Sequence, residues 1–105
     1  MKIRINSSDE YELYNRTNIK YDANTNTKVL TFMVKVNEDD NGEIIFDTLL
    51  DELKNLEFLT LVRDGEKDID LSNYREIQSY SRVLLDNDDY IMVSLNYAGS
   101  LKWWN

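Results

Sequence analysis

The chain has 105 residues, 42% of them apolar, with 20 acidic and 12 basic side chains and a net charge of −8. It contains no histidine, no cysteine and no proline. Two uncross-linked domains of about 50 residues each would be marginal, so the length predicts one domain over 1–105 built on one core. The missing cysteine excludes disulfides, thiolate nucleophiles and cysteine-ligated zinc or iron–sulfur clusters within the chain. The missing histidine removes the commonest general base and transition-metal ligand, and with it every Ser-His-Asp or Cys-His system.

The charge is uneven. Residues 1–35 carry six basic and four acidic side chains, whereas residues 36–105 carry six basic and sixteen acidic ones. Residues 38–52 hold seven acids and no base. Such a field repels nucleic acid and anionic lipid and favours basic partners, and it also serves as the solubilising surface of a small protein.

In chain order, MKIRIN alternates, with Ile3 and Ile5 on one face and Lys2 and Arg4 on the other. The opening MKIRINSSDEYE lacks the apolar stretch of a signal peptide, and no apolar run approaches the roughly 20 residues that span a bilayer. After SSDE turns the chain, Tyr11, Leu13 and Tyr14 begin a second extended stretch that continues through Ile19 and Tyr21. The polar cluster YDANTNTK (21–28) reads as a hairpin turn. In KVLTFMVKV, Leu30, Phe32, Val34 and Val36 share one face, and Val29, Thr31, Met33 and Lys35 share the other, which predicts a central strand. Asn41-Gly42 then suits a turn with positive φ.

The period changes at Phe46, Leu49, Leu50, Leu53 and Leu56, which predict a short helix over about 46–56. Asp47 or Thr48 would cap it, with Asp51 three residues after Thr48 in the spacing of a capping box. EFLTLVRDGEKDIDLSNY reads as a hairpin with Asp64-Gly65 at its tip. REIQSYSRVLLD is a long strand, and DNDD (86–89) closes a hairpin into a last strand with Ile91, Val93, Leu95 and Tyr97 on one face. The fold class is α+β: a mainly antiparallel, meandering sheet or open barrel with one short helix packed on it. In the tail GSLKWWN, Trp103 and Trp104 are adjacent and would face opposite sides of a strand. Either both cover the open end of the sheet, or one does and the other is an exposed anchor for a partner.

The residues from Asn37 to Thr48 are similar to a calcium-binding loop, with Asn37, Asp39 and Asn41 at the first, third and fifth places, Gly42 sixth and Ile44 eighth. The first place lacks an aspartate, the twelfth lacks a bidentate glutamate, and a strand rather than a helix precedes it, so the segment reads as an acidic turn and no metal is assigned to it. Asp39/Asp40, Asp68/Asp70 and Asp88/Asp89 are paired carboxylates of the type that hydrolases use, but each pair lies in or beside a predicted turn, where Asp serves local hydrogen bonding. The three glycines, at 42, 65 and 99, are too far apart for a phosphate-binding loop. Tyr74, Tyr80, Tyr90 and Tyr97 lie among acids rather than bases and read as sheet or core residues.

The segments MKIRI, VLTFMV, TLLDELKNLEFLTLVRDGE and YSRVLLDNDDYIMVSLNY give a layout that resembles the small accessory and structural proteins of tailed bacteriophages and prophages of Gram-positive bacteria. The resemblance implies a particle component or small phage-encoded binding protein without enzyme activity, found in the host bacterial cytoplasm or built into the virion. It carries no functional residue with it.

The expectation is therefore a non-enzymatic protein-interaction module, a small virion or tail-associated subunit, with no cofactor. Its partner would be a protein, either a second copy or a tail or baseplate protein, with no direct nucleic-acid binding and no membrane. The candidate partner-binding residues are Trp103, Trp104, Glu38, Asp39, Asp40 and Glu43. The alternative is an acidic anti-defence inhibitor that mimics nucleic acid in the basic channel of a host nuclease, using residues 38–52 with Asp86, Asp88 and Asp89. A third reading is a calcium-dependent module built on 37–48.

Overall fold

A computed structural model describes residues 1–6, 9–14, 18–24, 26–36 and 42–98. Among them, β1 (Lys2–Ile5), β2 (Asp9–Glu12), β3 (Asn18–Asp22), β4 (Thr27–Lys35), α1 (Gly42–Lys54), β5 (Leu59–Val62), β6 (Ile69–Asp70), β7 (Tyr74–Leu85) and β8 (Asp88–Tyr97) follow in order. The α+β class holds, and the strands form two antiparallel four-stranded sheets, ordered β2-β1-β5-β6 and β3-β4-β8-β7, with no closed barrel.

The period-two pattern explains the packing. Ile3 and Ile5 of β1 lie in register with Leu61 and Leu59 of β5, and all four are buried. Leu30, Phe32 and Val34 of β4 face Leu95, Val93 and Ile91 of β8 in the same way. These two apolar faces, with Leu49 and Leu53 of α1, form one core cluster. β4 is an inner strand, as its two-faced apolar pattern predicts.

Two expectations need correction. The extended stretch from Tyr11 to Tyr21 is not one strand of one sheet. β2 pairs with β1, while β3 pairs with β4. The change of sheet falls at Leu13, which bridges to Val34, and at Tyr14, whose N–H donates to the Met33 carbonyl. The chain can cross there because β1 offers only four residues to pair with, while Leu13 is buried in the shared core.

The helix begins at Gly42, four residues before the expected start, and ends at Lys54. Asp47 and Thr48 are exposed interior residues of the helix and do not cap it. Gly42 is absent from the positive-φ positions, whereas Gly65 is among them, so the expected Asn-Gly bend is not formed at Gly42. Ile45 and Phe46 pack on the core one turn before Leu49 and extend the apolar stripe backward. A Cβ on Gly42 would stand 2.8 Å from Nη2 of Arg82, the far end of a flexible side chain that reaches from β7 to the start of the helix. The last seven positions of the calcium-loop-like segment are therefore helical and cannot wrap around an ion.

Candidate interaction surface at the β7–β8 hairpin

β7 and β8 are joined at Asp86-Asn87, with φ of 52° and 68°. Two consecutive positive φ values mark the hairpin turn whose twist matches the strands, and Asp and Asn tolerate them better than most residues. In such a two-residue hairpin the flanking pair, Leu85 and Asp88, exchanges both backbone hydrogen bonds. The alternation then runs down the ladder. Ser81 and Val83 turn their N–H and C=O groups toward β8, and Arg82 and Leu84 turn theirs away from it.

Among the described residues β7 is the outer strand of its sheet, so the outward groups of Arg82 and Leu84 lie on an open edge there. The first half of β7 is different. Register shifts between Tyr74 and Glu76 and between Ile77 and Ser79 mark bulges that leave Arg75 and Gln78 unpaired in the ladder. Between the halves, the Tyr80 hydroxyl donates to the Phe46 carbonyl at 2.6 Å, and the two rings pack at 4.6 Å. Burial, and then the negative charge of Asp47, hold the Tyr80 phenol well above the ordinary tyrosine range.

The tip carries apolar side chains on both faces. Leu84 is 70% exposed and Leu85 is 36% exposed. Arg82, on the Leu84 face, lies 3.5 Å from Asp89 and lines a shallow recess of about 300 Å³ with Glu43, Phe46 and Asp47. The Val36 N–H donates to the Asp89 carbonyl at 3.1 Å, so β4 leaves the sheet beside the hairpin tip. Acids far apart in sequence thus meet around Arg82: Glu43 and Asp47 from the helix, and Asp89 from the start of β8.

Of the sequence-derived candidates, Glu43 lies here, exposed in the first turn of α1. Glu38, Asp39, Asp40, Trp103 and Trp104 lie outside the described residues. Asp68 lies 3.8 Å from Arg4, and Asp70 accepts from the Ser72 hydroxyl and backbone N–H, which lowers its pKa. Among the described residues, no group of three or more acids is placed to hold a metal ion, and no helix is long and apolar enough to cross a membrane. Tyr74 and Tyr90 are buried, while Tyr80 and Tyr97 pack against the core, as the strand pattern predicts.

No protein-family model, curated protein or solved structure matches this chain.

Sequence reasoning missed Arg82, Leu84 and Leu85. The signal was the run Val83-Leu84-Leu85 directly before DNDD. Three consecutive apolar residues in a strand cannot all face one core, and next to a turn the unburied ones stand free.

A second polar recess, of about 290 Å³, lies on the outer face of the β3-β4-β8-β7 sheet among Lys20, Asp22, Ala23, Val29, Thr31 and Gln78. The Gln78 side chain donates to Asp22 across it at 3.0 Å, so the bulged residue straps the sheet face.

Proposed function

We propose that the chain is a non-enzymatic protein-interaction module that binds through the β7–β8 hairpin. The observation carrying this reading is the open half-edge of β7, where the outward backbone groups of Arg82 and Leu84 sit beside exposed Leu84 and Leu85. An open edge offers ready-made hydrogen bonds, and apolar side chains beside it supply the buried area that makes such a contact persist. The resemblance of the sequence to small phage accessory proteins supports placing the module in a tailed-phage particle, as a virion or tail-associated subunit. The test is to purify particles from a host carrying this gene with a photo-crosslinking residue at position 84. Co-purification with the particle and a crosslink to a tail protein support the reading. Absence from the particle and from every crosslinked adduct refutes it.

The meeting of Glu43, Asp47 and Asp89 around Arg82, with Asp86 and Asp88 in the adjoining hairpin, favours a second reading, in which the acids occupy a basic nucleic-acid channel of a host nuclease. Charge reversal at Asp47 and Asp88 together would abolish inhibition on that reading, and added salt would weaken binding steeply. Tight binding that persists in high salt rules the mimic out.

A further inference from the structure

Resting on the proposed binding role of this hairpin, we infer that its occupant is a second copy of the same chain, paired antiparallel through β7 about a two-fold axis at Val83. Backbone geometry limits the choice. Antiparallel strands exchange both hydrogen bonds only between residues whose groups face each other, so an added strand must place its own outward-facing residues opposite Arg82 and Leu84. For two identical strands, two-folds at Ser81, Arg82, Val83 and Leu84 come into question; the last sets Arg82 against the turn residue Asp86, with φ of 52°, and leaves one pair, Leu84 with Leu84, to exchange both bonds.

A two-fold at Arg82 sets the two guanidinium groups directly opposite each other, which is unfavourable. A two-fold at Ser81 lays the tip of each copy against the bulged half of the other and against Tyr80, which is held by the helix. A two-fold at Val83 avoids these faults. Arg82 of each copy pairs with Leu84 of the other, and each pair exchanges both of its backbone bonds. Val83 meets Val83 and Ser81 meets Leu85 on the opposite face. Leu84, 70% exposed in the single chain, then covers the alkyl stem of the other copy's Arg82.

Charge agrees with this register. Asp86 of each copy falls opposite Tyr80 and one diagonal from Arg82 of the other, so each guanidinium stands between its own Asp89, 3.5 Å away, and the second copy's Asp86. The two turns point in opposite directions, which keeps the acidic tips from each other but sets each beside Glu43 and Asp47 of the other copy, a repulsion that added salt screens. Over this stretch Arg82 is the one charged obstacle to self-pairing on the edge. The bulges of the strand fall at Arg75 and Gln78, and residues 81–85 contain neither lysine nor proline.

The contact is short beside a standard interface of roughly 1,600 Å², so the dimer is weak and forms between micromolar and millimolar concentrations. Sedimentation equilibrium of the full chain across that range tests it. The expected result is a monomer–dimer equilibrium that tightens with added salt, because two chains of net charge −8 repel. Leu84→Lys weakens association by about tenfold or more. Leu84→Pro, which removes an N–H that the single chain does not use, abolishes it, while Phe58→Lys, at an exposed apolar residue beside the other sheet, leaves it unchanged. A wild-type chain that stays monomeric at millimolar concentration overturns the inference, as does a dimer that both Leu84 variants leave intact. A monomer that still crosslinks from position 84 to a tail protein overturns the self-pairing alone and leaves the binding role standing.

Discussion

Replacing Tyr80 with phenylalanine isolates the bond that ties the helix to the edge strand. The hydroxyl donates to the Phe46 carbonyl at 2.6 Å, and the ring packs on Phe46 at 4.6 Å with planes tilted by 56°. Tyr80→Phe keeps the ring and removes the hydrogen bond alone. Phe46 lies inside α1, so its carbonyl keeps its place in the helical ladder and no acceptor is orphaned. The expected loss is therefore that of one neutral hydrogen bond, about 1 kcal/mol. For a domain of this size that corresponds to a fall in melting temperature of roughly 4–8 °C. The variant also changes the alkaline limb. The folded-state pKa of Tyr80 is raised, so the unfolded chain loses its phenolic proton first. Stability is whole below the ordinary tyrosine value of 10.0 and falls as pH rises past it. Tyr80→Phe removes this contribution and flattens the limb, though Tyr74 and Tyr90, also raised, keep part of the slope. Chemical denaturation at neutral pH and at pH values above that of free tyrosine measures both effects. A variant as stable as wild type at neutral pH, with an unchanged alkaline slope, would refute the anchoring role of this hydroxyl.

Other substitutions probe the rest of the fold. Phe32 is 1% exposed at the middle of the β4–β8 pairing, and Phe32→Ala should cost about 3–5 kcal/mol in urea unfolding. Asn6 has φ of 57°, and its side-chain oxygen accepts from the N–H groups of Glu57 and Phe58, joining β1 to the exit of the helix. Asn6→Ala should cost about 1–2 kcal/mol through the lost acceptor and the strained backbone, and Asn6→Gly should cost less. The Ser72 hydroxyl and N–H hold Asp70 below its ordinary carboxylate value of 3.8. That contribution is present above 3.8 and is lost as pH falls through the lowered value, so Ser72→Ala should show a shallower acid limb in pH-dependent denaturation.

The strands were legible because their side chains alternate and their turns carry Asn, Asp or Gly. Ile3 and Ile5, the Leu30–Val36 alternation and the Gly65 turn fall where the pattern places them, and the turn expected over 86–89 narrows to Asp86-Asn87, with Asp88 and Asp89 already in β8. The start of the helix was not legible, because Glu43-Ile44-Ile45 shows no stripe by itself. Ile44 is 62% exposed, and Ile45 gains its burial only from tertiary packing. The division into two sheets was hidden because nothing in the sequence marks Leu13 as the point where the chain changes partner. Alternation reports which face of a strand is buried and is silent about which strand lies beside it. The open edge of β7 depends on strand order, so it could not be read from residues 74–85 alone, although the excess apolar residue beside DNDD pointed to the tip.

Amide hydrogen exchange along β7 reads directly whether the second half of that strand is an open edge. In dilute solution the ladder places the amides of Ser81, Val83 and Leu85 in hydrogen bonds to β8 and leaves those of Arg82 and Leu84 facing outward. The predicted result is slow exchange at Ser81, Val83 and Leu85 and fast exchange at Arg82 and Leu84. Exchange at Arg82 and Leu84 as slow as at their neighbours in dilute solution would contradict it.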